Sequence, residues 1–165
     1  MCIAAGAGDY ASCSSAPYVS GNNIFIAKEA KGLSWFKAMQ STIDSKITSK
    51  TSIIIMMGVN DVGNSEKSGL TAANKYINYL NDTISSWLDK GVKVYFVSVN
   101  PVGNAKYVTN AAIESFNSKI KNYSKIRYID TNNKISYPSN IYDNEGLHYS
   151  NSKYKEIYNY IMSRT

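Results

Sequence analysis

From residue 24 onward, short runs of apolar and β-branched residues alternate with longer stretches whose apolar positions recur at three- and four-residue steps. That alternation predicts successive β-α units built around a parallel sheet. The first unit pairs a strand at Ile24-Phe25-Ile26-Ala27 with a helix after Gly32, in which Ser34 is the N-cap and Trp35, Phe36, Met39, Ile43 and Ile47 share a face. The second opens with residues 52–57, apolar on consecutive positions, which predicts a central strand covered on both faces. A polar loop from Asn60 to about Ser68 then leads into a long helix with Ala73, Ile77, Leu80, Ile84, Trp87 and Leu88 on one side and Gly91 as its C-terminal cap.

The third unit has a strand at residues 92–99, ending at Asn100-Pro101, and a helix carrying Ile113, Phe116 and Ile120. A shorter fourth strand at residues 126–129 stops at Asp130. Residues 131–147 show no clear period, and a final helix contains Tyr154, Ile157, Tyr158 and Ile161. Loops of that length inside a compact domain are usually functional or mobile. Residues 1–23 differ from the rest: they are small, polar and rich in Gly and Ser, with no strand of adequate length. A chain of 165 residues, 44% of them hydrophobic, suits one core and hence a single domain over residues 1–165.

Charge and cysteine usage narrow the partners. Eighteen Lys and Arg against twelve Asp and Glu give a net charge of +6, but the lysines are scattered singly, as at Lys46, Lys67, Lys75, Lys90 and Lys106. That is the pattern of a solvated basic face, and no nucleic-acid partner is expected. The longest apolar run, Ile53 to Met57 and on past Gly58 to Val59, falls far short of the roughly twenty residues of a membrane span. Cys2 and Cys13 form no Cys-x-x-Cys or Cys/His cluster, so no metal site is expected. A bridge between them would suit an exported protein, yet two cysteines leave the compartment open, and the first residues lack the basic and apolar regions of a signal peptide.

In an open parallel sheet ligands bind beyond the carboxyl ends of the strands. Gly32, the Gly58-Val59-Asn60-Asp61 string, Asn100-Pro101 and the Glu145-Gly146-Leu147-His148 string all fall there. His148 is the only histidine of the chain, and Glu145, three residues earlier, could orient its imidazole as a general base. The Asn60 side-chain amide and the Gly32 N–H could both donate to a developing oxyanion. Taken singly, each has a plainer reading: an exposed loop histidine, an Asx turn, a strand-to-helix turn.

Their conjunction is more specific. The segments from Phe25 through Trp35, Gly58-Val59-Asn60-Asp61 and Glu145-Gly146-Leu147-His148-Tyr149-Ser150 resemble the second, third and fifth conserved blocks of the SGNH (GDSL-like) hydrolases, over residues 24–163. The resemblance implies a flavodoxin-like three-layer α/β/α fold with a parallel sheet of order 2-1-3-4-5. It also implies cofactor-free Ser-His-acid hydrolysis of a small-molecule or glycan ester, with His148 as base, Glu145 as the acid that holds it, Asp143 as reserve acid, and Gly32 and Asn60 as the oxyanion hole. The family's first block, Gly-Asp-Ser, supplies the nucleophile and has no counterpart here: Gly8-Asp9-Tyr10 carries tyrosine in place of serine and lies too close to Gly32. Residues 1–7 read instead as the remnant of the helix that follows that serine, so the first strand of the sheet is expected to be absent. Either the strands at 24–27 and 52–57 close up, or the slot is filled by a preceding segment or by self-association. The competing expectation is a catalytically silent flavodoxin-like domain that binds a glycan or cell-surface partner.

Overall fold

The structure is a computed structural model in which residues 17–165 are described. Cys2, Cys13, the Gly8-Asp9-Tyr10 string and the helix remnant expected at 1–7 lie outside the described residues.

Among the described residues three parallel strands form the sheet: β3 (Ser52–Ile55), β4 (Lys93–Val97) and β5 (Arg127–Ile129), in the order β3-β4-β5. Ser52 pairs with Lys93 and Tyr95 with Arg127, so the registers carry every strand's carboxyl end to the same edge. β4 is buried at all of Val94, Tyr95, Phe96 and Val97, and its alternating side chains divide the core in two. Val94 and Phe96 join a cluster with Tyr76, Leu80, Ile84 and Trp87 of α3 (Glu66–Asp89) and Ile113, Phe116 and Ile120 of α4 (Asn110–Lys121). Tyr95 and Val97 join Ile129 and, from α5 (Asn151–Met162), Ile157 and Ile161 on the opposite face. Helices cover both faces of the sheet, the three-layer α/β/α arrangement.

The helices are defined by their ends as much as by their faces. α3 opens on a capping box between Ser65 and Ser68 and stops at Lys90, where Gly91 takes φ 80. Its buried side runs Gly69, Ala72, Ala73, Tyr76, Leu80, Thr83, Ile84 and Trp87. Leu88 lies outside that stripe and is exposed.

The N-terminal part departs from expectation in several ways. Asn23–Phe25 (β2) does not enter the parallel sheet; it pairs antiparallel with Tyr18–Ser20 (β1), a strand in a stretch expected to be irregular. The cause is local. Gly21-Asn22 is a two-residue connection, and Gly21 at φ 57 supplies the positive φ that a type II′ hairpin turn needs at its first central position. The strands at 24–27 and 52–57 therefore do not close up: among the described residues β3 pairs on one side only, so it is an edge strand and not the central one. Its Ile53 and Ile54 are accordingly only half-buried. The helix expected through Ile47 is broken into α1 (Leu33–Ala38) and α2 (Gln40–Asp44), with the backbone at Met39 both ending the first and starting the second.

α3 and α4 pack so closely that a Cβ on Gly69 would lie 2.1 Å from the Ala112 carbonyl oxygen. Alanine at an ordinary helix position gains about 1 kcal/mol over glycine. Here it must push two helices apart, and overpacking costs typically about 1–3 kcal/mol. Gly69→Ala should therefore lower the urea midpoint despite its better helix propensity; an unchanged or higher midpoint would show that the two helices do not meet there.

Candidate functional site

The loop after β3 folds on Gly58, whose carbonyl accepts the Asp61 N–H at 2.8 Å and the Val62 N–H at 3.1 Å. Gly58 has φ 129, and a Cβ there would stand 2.8 Å from both Phe116 and Val99, so this turn needs glycine twice over. The turn leaves Asn60 exposed with its Nδ2 donating to the Lys31 carbonyl at 3.1 Å. An amide nitrogen has two hydrogens, so that bond leaves one for another acceptor.

Asp61 does what Ser34 was expected to do. Its Oδ1 and Oδ2 accept the Leu33 N–H at 3.0 and 3.1 Å, placing a carboxylate on the first N–H of α1, and Oδ2 also accepts the Tyr76 hydroxyl at 2.7 Å. Gly32 is the N-cap position, with no side chain of its own to contribute. A Cβ there would lie 2.4 Å from Asp61 Oδ1, so any side chain would displace the carboxylate that caps α1. Burial and the Asp61 carboxylate push the Tyr76 phenol well above its ordinary pKa, so it stays a donor at every accessible pH. The Gly32 N–H meets no acceptor among the described residues.

The histidine loop is built on the loop after β4. The Asn117 side chain bonds the Val99 N–H and C=O, each at 2.8 Å, and Asn110 bonds the Val102 N–H and C=O at 2.8 and 2.9 Å. Ser98, Thr131 and Asn100 form a buried hydroxyl-amide chain joining the ends of β4 and β5. Onto this frame the Tyr149 hydroxyl donates to the Pro101 carbonyl at 2.5 Å, and the Gly103 N–H donates to the Gly146 carbonyl at 2.8 Å. Gly146 takes φ 69, and a Cβ on it would meet Asn104 N at 2.7 Å.

His148 itself is half-buried. The Asp143 N–H donates to the His148 carbonyl at 2.9 Å, and Asp143 Oδ1 accepts the N–H groups of Leu147 at 3.0 Å and His148 at 3.3 Å. Asp143 thus shapes the loop through the backbone. Desolvation pulls its carboxyl upward, but the Leu147 and His148 N–H groups, the nearby imidazole and the Glu145 N–H together outweigh it and hold the pKa below its ordinary value. Glu145 is exposed, and its carboxylate bonds nothing among the described residues. The polar atom at His148 Nδ1 is the Tyr154 hydroxyl, 3.4 Å away.

Gly32 and Asn60 are therefore neighbours through the Lys31 carbonyl, and the His148 loop docks on the loop after β4, at the carboxyl-end edge of the same sheet. A separate cavity of about 560 Å³ opens between α1 and α3, lined by Leu33, Lys37, Asp61, Lys75 and Tyr76 among others. Gly32, Asn60 and His148 do not line it, so the candidate donors and base stand outside this cavity, at the carboxyl ends of the strands.

No protein-family model matches the chain, and no curated protein matches it. Among solved structures it is similar to one described as "a putative platelet activating factor from Streptococcus pneumonia", at 13% identity with a TM-score of 0.64, covering 88% of this chain and 74% of that one. At that identity the likeness shows the α/β fold alone.

Two outcomes are expected. Asp61→Asn replaces one of the two accepting oxygens with a donor, so it can no longer accept from both the Leu33 N–H and the Tyr76 hydroxyl at two oxygens, and should cost about 1–3 kcal/mol; unfolding in urea and amide exchange at Leu33 measure it. For Asp143, the folded pKa lies below the unfolded one, so its contribution is complete above the ordinary carboxylate pKa of about 4 and is lost as pH falls through the lower folded value. Protection of the Leu147 and His148 amides should be constant down to about pH 5 and decline below about pH 4, and Asp143→Asn should remove that pH dependence.

Proposed function

We propose that this chain is the body of an SGNH-type ester hydrolase acting on a small-molecule or glycan ester. The observation that carries the reading is the Asn60-Lys31 hydrogen bond, which holds an exposed side-chain amide against the peptide that links Lys31 to Gly32, at the sheet edge where the loop of the only histidine docks. In this mechanism the second Asn60 hydrogen stabilises the tetrahedral oxyanion, joined by the Gly32 N–H once the Lys31-Gly32 peptide, whose N–H points away from its carbonyl, turns toward the substrate, and His148 Nε2 takes the proton from an attacking serine and returns it to the leaving alcohol. No serine of this chain is assigned as the nucleophile; the reading requires one from a strand ending in Gly-Asp-Ser that lies beside β3, where no strand is paired among the described residues.

The test is expression of the chain with whatever in-frame segment precedes Met1 in its coding sequence, followed by fluorophosphonate labelling and aryl-acetate hydrolysis. The proposal expects labelling on a Gly-Asp-Ser serine, a fall in kcat of about a thousandfold or more for His148→Ala, and of about a hundredfold for Asn60→Ala. An upstream segment without such a serine, or hydrolysis indifferent to His148, would favour the silent binding domain.

A further inference from the structure

His148 has candidate carboxylate partners at Glu145 and Asp143, yet neither bonds its ring. Glu145 is exposed and its carboxylate bonds nothing among the described residues; it precedes Gly146, whose carbonyl accepts the Gly103 N–H. Asp143 spends its Oδ1 on the backbone N–H groups of Leu147 and His148 and makes no bond to the imidazole. The Tyr154 hydroxyl, 3.4 Å from Nδ1, is the group within hydrogen-bonding reach.

Tyr154 is held in place independently of His148. Ser150 caps α5 by accepting the Lys153 N–H, and the Ser150 carbonyl accepts the Tyr154 N–H at 3.0 Å, so Tyr154 stands in the first turn of a capped helix. Its ring meets Tyr149 edge-on with centroids 5.4 Å apart, and Tyr149 in turn packs on Tyr137 and Tyr142, each at 5.5 Å. Tyr149 is also tied to the β4 loop through Pro101. The phenol is thus mounted on a rigid aromatic group, whereas Glu145 rides on an exposed loop.

We infer that Tyr154 is the positioning residue for His148, holding the imidazole through Nδ1 in the role expected of Glu145. The direction of the bond decides the chemistry. When the phenol oxygen accepts Nδ1–H, Nε2 keeps its lone pair and can act as the base; when the phenol donates to Nδ1, the ring proton sits on Nε2 and that base is lost. Tyr154 therefore supplies orientation, while Asp143 shapes the loop through its bonds to the Leu147 and His148 N–H groups. The catalytic meaning rests on the hydrolase reading, but the contact itself does not.

With a single histidine, long-range 1H-15N spectra of the 165-residue chain report the tautomer of His148 without assignment ambiguity. Tyr154→Phe keeps the ring packing and removes the hydroxyl. It should change the Nδ1–H to Nε2–H ratio by about fivefold, the effect of one ordinary hydrogen bond, while Glu145→Gln leaves the ratio unchanged. The reverse pattern, a shifted ratio in Glu145→Gln and none in Tyr154→Phe, overturns the inference. In the unaltered chain the Tyr154 Cζ resonance should also move at the midpoint of the His148 titration, and a Cζ that ignores that titration counts equally against it. These readouts need no activity, so a failed fluorophosphonate experiment would leave them standing and their failure would leave the hydrolase reading standing.

Discussion

The Asp61 carboxylate accepts the Leu33 N–H and the Tyr76 hydroxyl together, and so couples the loop after β3 to the start of α1 and to the buried middle of α3. That triple attachment decides much else. It leaves no room for a Cβ at position 32 unless the Asp61 carboxylate shifts, sets where α1 begins, and holds the Lys31 carbonyl where the neighbouring Asn60 amide can reach it. A carboxylate at a helix start is favoured by the unpaired N–H groups there, and the phenol adds a second donor without competing charge. The exposed donors of the edge are thus fixed by a side chain that is not one of them.

The second half of the edge follows the same logic with amides in place of a carboxylate. Asn117 and Asn110 each close on both the N–H and the C=O of one residue, supplying for the irregular backbone after β4 the pairing that a strand would otherwise give. Buried polar chains of this kind are costly when incomplete and rigid when satisfied. Among the described residues no buried side-chain polar atom lacks a partner. The histidine loop can therefore be long and without repeating structure and yet be placed firmly, because it docks on a backbone already fixed.

Much of the layered fold was legible in the sequence. Consecutive apolar residues marked β4, the three- and four-residue spacing marked α3, α4 and α5, and Gly91 marked an end of helix. What misled was the assumption that every β-branched run belongs to the sheet. Ile24-Phe25 is apolar enough for a sheet strand, but Gly21-Asn22 just before it is a hairpin connection, and local turn chemistry prevailed. Likewise Ile53-Ile54-Ile55 has the composition of a central strand, while its pairing depends on neighbours that periodicity does not specify. At the candidate site the sequence pointed to Gly32, Asn60 and His148 by type and position. It could not point to the partners that hold them, since Asp61-Leu33 and Tyr149-Pro101 join residues that are 28 and 48 positions apart.

The account depends on the Asn60 and His148 loops standing together at one edge of the sheet. Nitroxide labels at positions 60 and 148, with Cys2 and Cys13 replaced by serine, measure that separation by double electron-electron resonance. The geometry predicts a distribution confined to the short limit of the method, about 20 Å or less, against a molecular width of roughly 30–40 Å for a chain of this size. A distribution centred near the full width would put the amide and the imidazole on different sides of the molecule and contradict the account.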